Sequence, residues 1–453
     1  MRISIFGLGK VGVTLSSCLR AAGNNVIGVD VDAAVVDSLN SGAFHTQEPG
    51  VVERLTRISS GEFSATVDPI RAVCESELSF VIVPTPSNAL GGFSLRYILK
   101  ACDQIGASLR SKSGAHTVAI VSTVLPGSSD TRIIPRLEEA SGRKVGEGLG
   151  YCYNPSFIAL GEIVKGIERP DYLLIGQTDH ASGECVLAAH RTMMRDQAPI
   201  ARMSPAEAEI TKIASNTHET MRVSFANMLL SICSEVPGAD VDSITEALAH
   251  RMGRRFFKGA VPYGGPCWPR DNVALSAFMD AIGTPSRLPQ SVDLFNSEHG
   301  RYVLRKILSL SRAGQAVGIL GLAYKPGTSS IERSYAMDLA AWLVKEGRRV
   351  AGWDPLAMPE ARRAMGNTMH FSSSAEACLR ESTLVVIANP LPEFSTVDWA
   401  AGAATTVVDC WRCLSAEAIG RVTKYVPLGR GPAGDVAAWI RRRVGDDFEQ
   451  LTD

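Results

Sequence analysis

Short β-branched and apolar runs alternate with longer stretches of helical period over the first 200 residues. That alternation predicts a parallel sheet covered by helices. The expected strands are Arg2–Phe6, Asn25–Asp30, Leu78–Pro84, Thr117–Ser122, Leu149–Tyr153 and Tyr172–Ile175. Near Met203 the texture changes. Ser204-Pro205-Ala206-Glu207 reads as a capping box with proline at the first helical position, and Gly and Pro are then absent to about Val236, which predicts one long helix. A helix of that length suits a spine between two α/β halves, and a surface on which two subunits pair. From Ala316 the alternation restarts, with strands expected at Val317–Leu322, Arg349–Trp353, Leu384–Ala388 and Thr405–Val408 and a helix from about Ser334 to Lys345. Gly253 to Asn272 is rich in Gly, Pro and aromatic residues without a clean period and is expected to be an irregular loop.

Where the first expected strand ends, Gly7-Leu8-Gly9-Lys10-Val11-Gly12 follows and opens a helix, and Asp30 closes the next strand 18 residues after Gly12. Glycines at that spacing let the backbone turn and approach a pyrophosphate at a helix N-terminus, while the carboxylate holds the adenosine ribose. A 2′-phosphate would be repelled by Asp30, so NAD is expected over NADP. The fold class is therefore α/β, with an N-terminal Rossmann-type parallel sheet, a long central helix region and a second, smaller Rossmann-like domain. The expected boundaries are 1–200 for the NAD-binding domain, 201–300 for a central helical and dimerisation domain, and 301–453 for a C-terminal domain. A chain of this length needs two or three cores.

Composition narrows the classes. With 45% hydrophobic and 21% charged residues and a net charge of −1, the chain suits a soluble globular protein and lacks the basic surface that nucleic-acid binding requires. No apolar run is long enough to span a bilayer, and the N-terminus runs into the glycine turn without the regions of a signal peptide, so neither membrane nor export is expected and the cytoplasm is the default. Of ten cysteines only Cys410-Trp411-Arg412-Cys413 forms a CxxC pair, with no second pair or His cluster to complete a zinc site. No metal is expected. Most thiols read as buried and reduced.

One cysteine stands apart. Tyr263-Gly264-Gly265-Pro266-Cys267-Trp268-Pro269-Arg270-Asp271 sets a thiol in a glycine-rich turn beside a cation and a carboxylate. A nearby positive charge raises the thiolate fraction that a nucleophile needs; on spacing alone, a buried inert cysteine is an equal reading. Lys212 and Asn216 lie four apart, on one face if helical, where a solvated polar face is the alternative.

These segments resemble the UDP-glucose and GDP-mannose dehydrogenase family, whose GFGGSC-x-P-K-D signature is similar to the Cys267 loop. Further landmarks follow in the family's order: Glu48-Pro49-Gly50, Pro84-Thr85-Pro86, Ser122-Thr123-Val124-Leu125-Pro126-Gly127, Asn154-Pro155, Lys212 with Asn216, and Gly321-Leu322-Ala323-Tyr324-Lys325-Pro326. The resemblance spans nearly the whole chain. It implies two successive NAD-dependent oxidations at C6 of a nucleotide sugar, with Cys267 forming a thiohemiacetal and then a thioester. By the same resemblance Lys212 and Asn216 stabilise oxyanions, Asp271 handles water or a proton, and Thr123 helps to hold that water. NAD contacts are implied for Gly7, Gly9, Lys10, Val11, Gly12, Asp30, Thr85, Thr123, Arg270 and Arg333. Nucleotide-sugar contacts are implied for Lys212, Asn216, Asn227, Phe256, Lys258, Gly264 and Lys325. The run Arg254 to Val261 resembles the UDP-glucose members, which favours uridine, and the family implies a cytoplasmic homodimer serving polysaccharide synthesis.

The chain also departs from the pattern. Ser156 stands where the family usually has a Glu tied to thioester hydrolysis, Leu160 where a second Glu is frequent, Val35 where members often carry Lys, and Lys10 where Tyr is usual. The family's T-D-D-x-R-E-S reads Thr328-Ser329-Ser330-Ile331-Glu332-Arg333-Ser334, which moves the arginine one place. Three alternatives follow: a dehydrogenase of another UDP-, TDP- or GDP-hexose, a catalytically reduced nucleotide-sugar-binding homologue, and a two-electron hydroxyacid dehydrogenase that would need neither Cys267 nor a second α/β domain.

Overall fold

The computed structural model describes residues 1–56, 62–402 and 406–443. Its chain gathers into two compact units, Met1–Ser215 with Ala277–Thr284, and Asn216–Ser276 with Pro285–Asp453.

In the first unit β1 (Arg2–Phe6), β2 (Asn25–Val29), β3 (Phe63–Thr66), β4 (Leu78–Val81), β5 (His116–Ile120), β6 (Lys144–Val145), β7 (Gly148–Tyr153), β8 (Leu173–Gln177) and β9 (Ile200–Met203) build one sheet. Its order is β3-β2-β1-β4-β5-β7-β8-β9, with the two-residue β6 beside β7. The β7–β8 pairing is antiparallel and the others are parallel. Strands β4 and β5 are buried at every residue, as in a parallel sheet with helices on both faces, and their buried polar groups are paired, Ser79 Oγ lying 2.7 Å from His116 Nε2.

The second unit has a smaller sheet whose first five strands follow the same order as β1 to β5. Its strands are β10 (Ala316–Leu320), β11 (Arg349–Trp353), β12 (His370–Phe371), β13 (Leu384–Ile387), β14 (Thr406–Asp409) and β15 (Lys424–Pro427), arranged β12-β11-β10-β13-β14-β15 with every pairing parallel. Thr405, expected to open a strand, lies outside the described residues. The helix expected from Ser334 runs Tyr335–Lys345, with Ser334 at its N-cap.

Between the sheets in sequence, the long helix spans Pro205–Cys233. Its capping box forms as expected: the Ser204 N–H donates to Glu207 Oε2 at 2.9 Å and the Glu207 N–H to Ser204 Oγ at 3.3 Å. The expected irregular loop is shorter than Gly253–Asn272. A helix starts at Trp268 and runs to Ala281, because Pro269 falls in the first turn, where its missing N–H costs nothing. Among the described residues no helix is long and apolar enough to cross a membrane.

Candidate functional site

In the first unit the glycine turn leaves β1 with Gly7 at φ 97°. A Cβ on Gly7 would lie 2.2 Å from the Ile82 carbonyl oxygen and one on Gly12 would lie 1.9 Å from that of Gly7, whereas one on Gly9 would meet nothing within 4 Å. Two glycines thus permit backbone contacts. The third faces open space, as the close approach of a pyrophosphate requires. Gly9 is the N-cap of the Lys10–Ala21 helix and gives it no side-chain cap, so first-turn N–H groups remain for an anion. Lys10 is exposed at that end and Val11 is half-buried.

Asp30 closes the arrangement. Its Oδ2 accepts the Leu8 N–H at 2.7 Å and its Oδ1 the Asp32 N–H at 3.0 Å. Each oxygen keeps acceptor capacity, and the residue is only half-buried, so it suits a ribose diol. The second unit builds the same turn at Gly321, with φ 89°. There Asp354 accepts Leu322 and Ala323 N–H groups on one oxygen and Leu356 and Ala357 N–H groups on the other. Asp354 is buried and holds two donors per oxygen, which leaves it no role in reading a ribose.

Beside the glycine turn, Thr85 Oγ1 donates to the Thr123 carbonyl at 2.9 Å and so joins two residues expected near NAD. Glu209 fixes the loop after Thr123: its carboxylate accepts from the Gly127 N–H at 2.6 Å, the Ser129 N–H at 2.9 Å and Ser129 Oγ at 2.7 Å. Burial raises its pKa, against those hydrogen bonds. Glu48 likewise ties the Gly161 and Ile163 N–H groups at 2.7 and 2.6 Å. Sequence reasoning noted Glu48 only as a landmark and missed Glu209, which no periodicity marks.

Lys212 is buried; its Nζ donates to the Ser156 carbonyl at 2.9 Å and lies 4.5 Å from the centre of the Phe157 ring. The Ser156 loop borders a cavity of about 50 Å³ lined in part by Val11, Asn154, Phe157 and His190. Two of the substituted positions, Val35 and Leu160, pack against the apolar core of this unit.

The second unit gathers the cysteine constellation. Cys267 is exposed and immediately precedes the Trp268–Ala281 helix, with its carbonyl accepting the Asp271 N–H at 2.8 Å. Asp271 is fully buried; Asn216 Nδ2 donates to its Oδ2 at 2.6 Å and Arg270 Nε to its Oδ1 at 3.0 Å. Asn216, Cys267, Arg270 and Asp271 are therefore together. Gly264 and Gly265 are required by their neighbours, since a Cβ would lie 2.0 Å from the Arg333 carbonyl oxygen in one case and 2.7 Å from Tyr324 Cε2 in the other. Arg333 itself takes a left-handed φ of 47° with an exposed side chain. Burial, with Cys267 and Glu332 nearby, raises the Tyr324 pKa.

The loop leading to Cys267 is held by residues that sequence reasoning did not single out. Arg222 donates to the carbonyls of Met252, Gly253 and Arg255 at 2.6–2.9 Å. Arg412 pairs with Asp242 at 2.8 Å and donates to the Gly259 carbonyl at 2.7 Å. Asn227, expected near substrate, is fully buried and spends its amide on the Ala260 N–H at 2.7 Å and the Val261 carbonyl at 3.3 Å. Phe256 has a φ of 54° and packs edge-on to Trp268 at 5.1 Å. Lys258 is exposed and Lys325 half-buried.

Three family profiles match the chain in sequence: the UDP-glucose/GDP-mannose dehydrogenase NAD binding domain over residues 1–194, the central domain over 206–298 and the UDP binding domain over 318–416. The chain is 34% identical over 405 residues to the UDP-glucose 6-dehydrogenase AglM of Haloferax volcanii, covering 88% of this chain and 93% of that one. It is 32% identical over 427 residues to the GDP-mannose 6-dehydrogenase of Azotobacter vinelandii, covering 90% and 96%. The solved structure of a UDP-glucose dehydrogenase from Pyrobaculum islandicum is similar, with a TM-score of 0.85, 30% identity and coverage of 94% and 97%.

Proposed function

This chain belongs to the UDP-glucose/GDP-mannose dehydrogenase family, and from that premise we propose that it oxidises the C6 alcohol of a UDP-sugar, UDP-glucose first among them, to the carboxylate through a thioester on Cys267. The family makes it an NAD-dependent nucleotide-sugar dehydrogenase. The observation that carries the finer reading is the thiol at the start of the Trp268–Ala281 helix, with Arg270, Asp271 and Asn216 joined beside it. The helix N-terminus favours negative charge on sulfur, while the Arg270 guanidinium is shared with the Asp271 carboxylate.

Bound NAD supplies the hydride acceptor, and two molecules of it are consumed per sugar. In the first oxidation C6 loses a hydride and its hydroxyl a proton, with Lys212 and Asn216 stabilising the oxyanion. Cys267 then adds to the aldehyde: a C–S bond forms and the thiol proton passes to the aldehyde oxygen. Loss of a second hydride and that proton leaves a thioester. Water cleaves the C–S bond, assisted by Asp271 and Thr123, and returns the thiol with a carboxylate. Gly7, Gly9, Lys10, Val11, Gly12, Asp30, Thr85, Arg270 and Arg333 serve the cofactor; Phe256, Lys258, Gly264 and Lys325 serve the nucleotide sugar, while Asn227, buried and paired, acts on it only by holding the Ala260–Val261 backbone. We read residues 1–200 as the cofactor domain, 201–300 as the domain carrying the cysteine and the dimer contact, and 301–453 as the nucleotide-sugar domain. The likeness to GDP-mannose 6-dehydrogenases at 32–34% identity favours a second reading, a GDP-hexose substrate. A panel of UDP-, TDP- and GDP-sugars, with NADH counted and product mass determined, decides: two NADH and a gain of 14 mass units with UDP-glucose support the proposal, and turnover of GDP-mannose alone overturns it.

A further inference from the structure

Between Tyr263 and Cys267 the chain is Gly264-Gly265-Pro266. Two glycines give that stretch more backbone freedom than any other pair of residues could, so the position of the thiol depends on what anchors each side. Downstream the anchor is the Trp268–Ala281 helix, through the Asp271 N–H on the Cys267 carbonyl. Upstream the Gly265 N–H meets the Glu332 carbonyl at 3.1 Å, and before the glycines the anchor is Asn296. Its Oδ1 accepts the Tyr263 N–H at 3.0 Å and its Nδ2 donates to the Tyr263 carbonyl at 3.0 Å. An amide that meets both groups of one residue fixes orientation as well as place, as a strand partner does. The Tyr263 phenol also donates to Asp293, which accepts from Asn272 Nδ2 at 2.8 Å. Asn296 and Asp293 stand on the Arg287–Ser309 helix, an element in which the functional reading places no residue.

We propose that Asn296 is a positioning residue for Cys267: by clasping the Tyr263 backbone it sets the point from which the glycine pair delivers the thiol to C6. This rests on the reading that Cys267 is the nucleophile. The first hydride transfer needs no sulfur, so with sugar bound its rate is indifferent to the clasp, whereas sugar affinity is not, because Gly264 lies on the same stretch. The addition step, in which the C–S bond forms and the thiol proton moves to the aldehyde oxygen, depends on it, because a reacting atom displaced by about 1 Å loses roughly a hundredfold in rate.

The test uses Asn296→Asp, which keeps the acceptor for the Tyr263 N–H but sets an oxygen against its carbonyl, and Asn296→Ala, which removes both contacts. NADH release is followed in single turnover on the accepted sugar with semicarbazide present to trap aldehyde, alongside NAD affinity, thermal midpoint and the carbamidomethylation rate of Cys267 by peptide mass. Expected are a first NADH at the wild-type rate, unchanged NAD affinity, a second NADH slowed at least about tenfold, trapped aldehyde, and an altered alkylation rate at Cys267. Equal slowing of both hydride steps, or of neither, overturns the proposal. If Asn296→Ala shows no cooperative thermal transition, Asn296→Asp carries the test, and a Tyr263 amide that exchanges with solvent as fast as an open loop in the wild-type protein overturns the clasp without any variant. Cys267→Ala runs beside them. Acid formed by that variant refutes the nucleophile reading itself; aldehyde from Cys267→Ala with normal behaviour of Asn296→Asp refutes the positioning role alone.

Discussion

Ser156 supplies a main-chain oxygen to Lys212, and on the proposed reading its short side chain replaces the glutamate that the resemblance implies at this position. General-base assistance is worth about 10²–10⁴-fold, so the thioester should hydrolyse slowly compared with the two hydride transfers. Mixing enzyme with excess NAD and UDP-glucose should give a burst approaching two NADH per active site, then a slower steady rate. Quenching in the slow phase should show a uronyl adduct on the Cys267 peptide. Ser156→Glu, which has the adjoining cavity to extend into, should shrink that adduct. Linear progress from the first turnover with no adduct would show that another group already activates the water. At this scale Cys267, Asp271 and Asn216 were legible because a loop signature and an i, i+4 pair mark them. Asn296 and Glu209 were not, since each acts on the backbone of a loop distant in sequence, 33 and about 80 residues away.

Among the elements, the turn between β1 and its helix governs cofactor choice. Asp30 keeps acceptor capacity beside that turn, so a 2′-phosphate there would meet a carboxylate, and NAD should be preferred over NADP by at least about tenfold in kcat/KM, roughly 1.4 kcal/mol. Comparable values for the two cofactors would mean that Asp30 does not face the ribose. Long central strands were legible as apolar runs, and β1 and β11 have the bounds expected. The missed strands are β3, β9, β12 and β15 at sheet edges and the two-residue β6. Edge strands bury less and carry polar residues, so the period-2 signal fades. The helix from Trp268 was hidden by Pro269, which reads as a breaker unless its place in the first turn is known.

For the whole molecule, two properties follow from what is buried and what is not. Burial holds His190 and His299 at pKa values of about 4, below the ordinary 6.5. Groups depressed on folding contribute stability above pH 6.5 and lose it as pH falls toward 4, by about 3 kcal/mol each. The urea midpoint should therefore drop across that window, and His190→Gln should flatten the drop; a midpoint constant from pH 6.5 to 4 would contradict it. On the Pro205–Cys233 helix Phe225, Met228 and Ile232 are exposed large apolar side chains at helical spacing, which supports the proposed homodimer. Ile232→Asp should lower the mass measured by light scattering from two chains to one, and an unchanged mass would exclude this face. The two-sheet plan was legible from the restart of alternation at Ala316, but the strand order that the first five strands of each sheet share was not, because topology leaves no local pattern. That repetition extends to the tie between a Gly-Leu turn and an aspartate, made at Asp30 and again at Asp354. A search for turn plus acid would count two nucleotide readers in this chain. Counting backbone donors already on each acid, two on Asp30 and four on Asp354, separates a reader from a fastener, and gives a way to sort such look-alike turns before any ligand is tried.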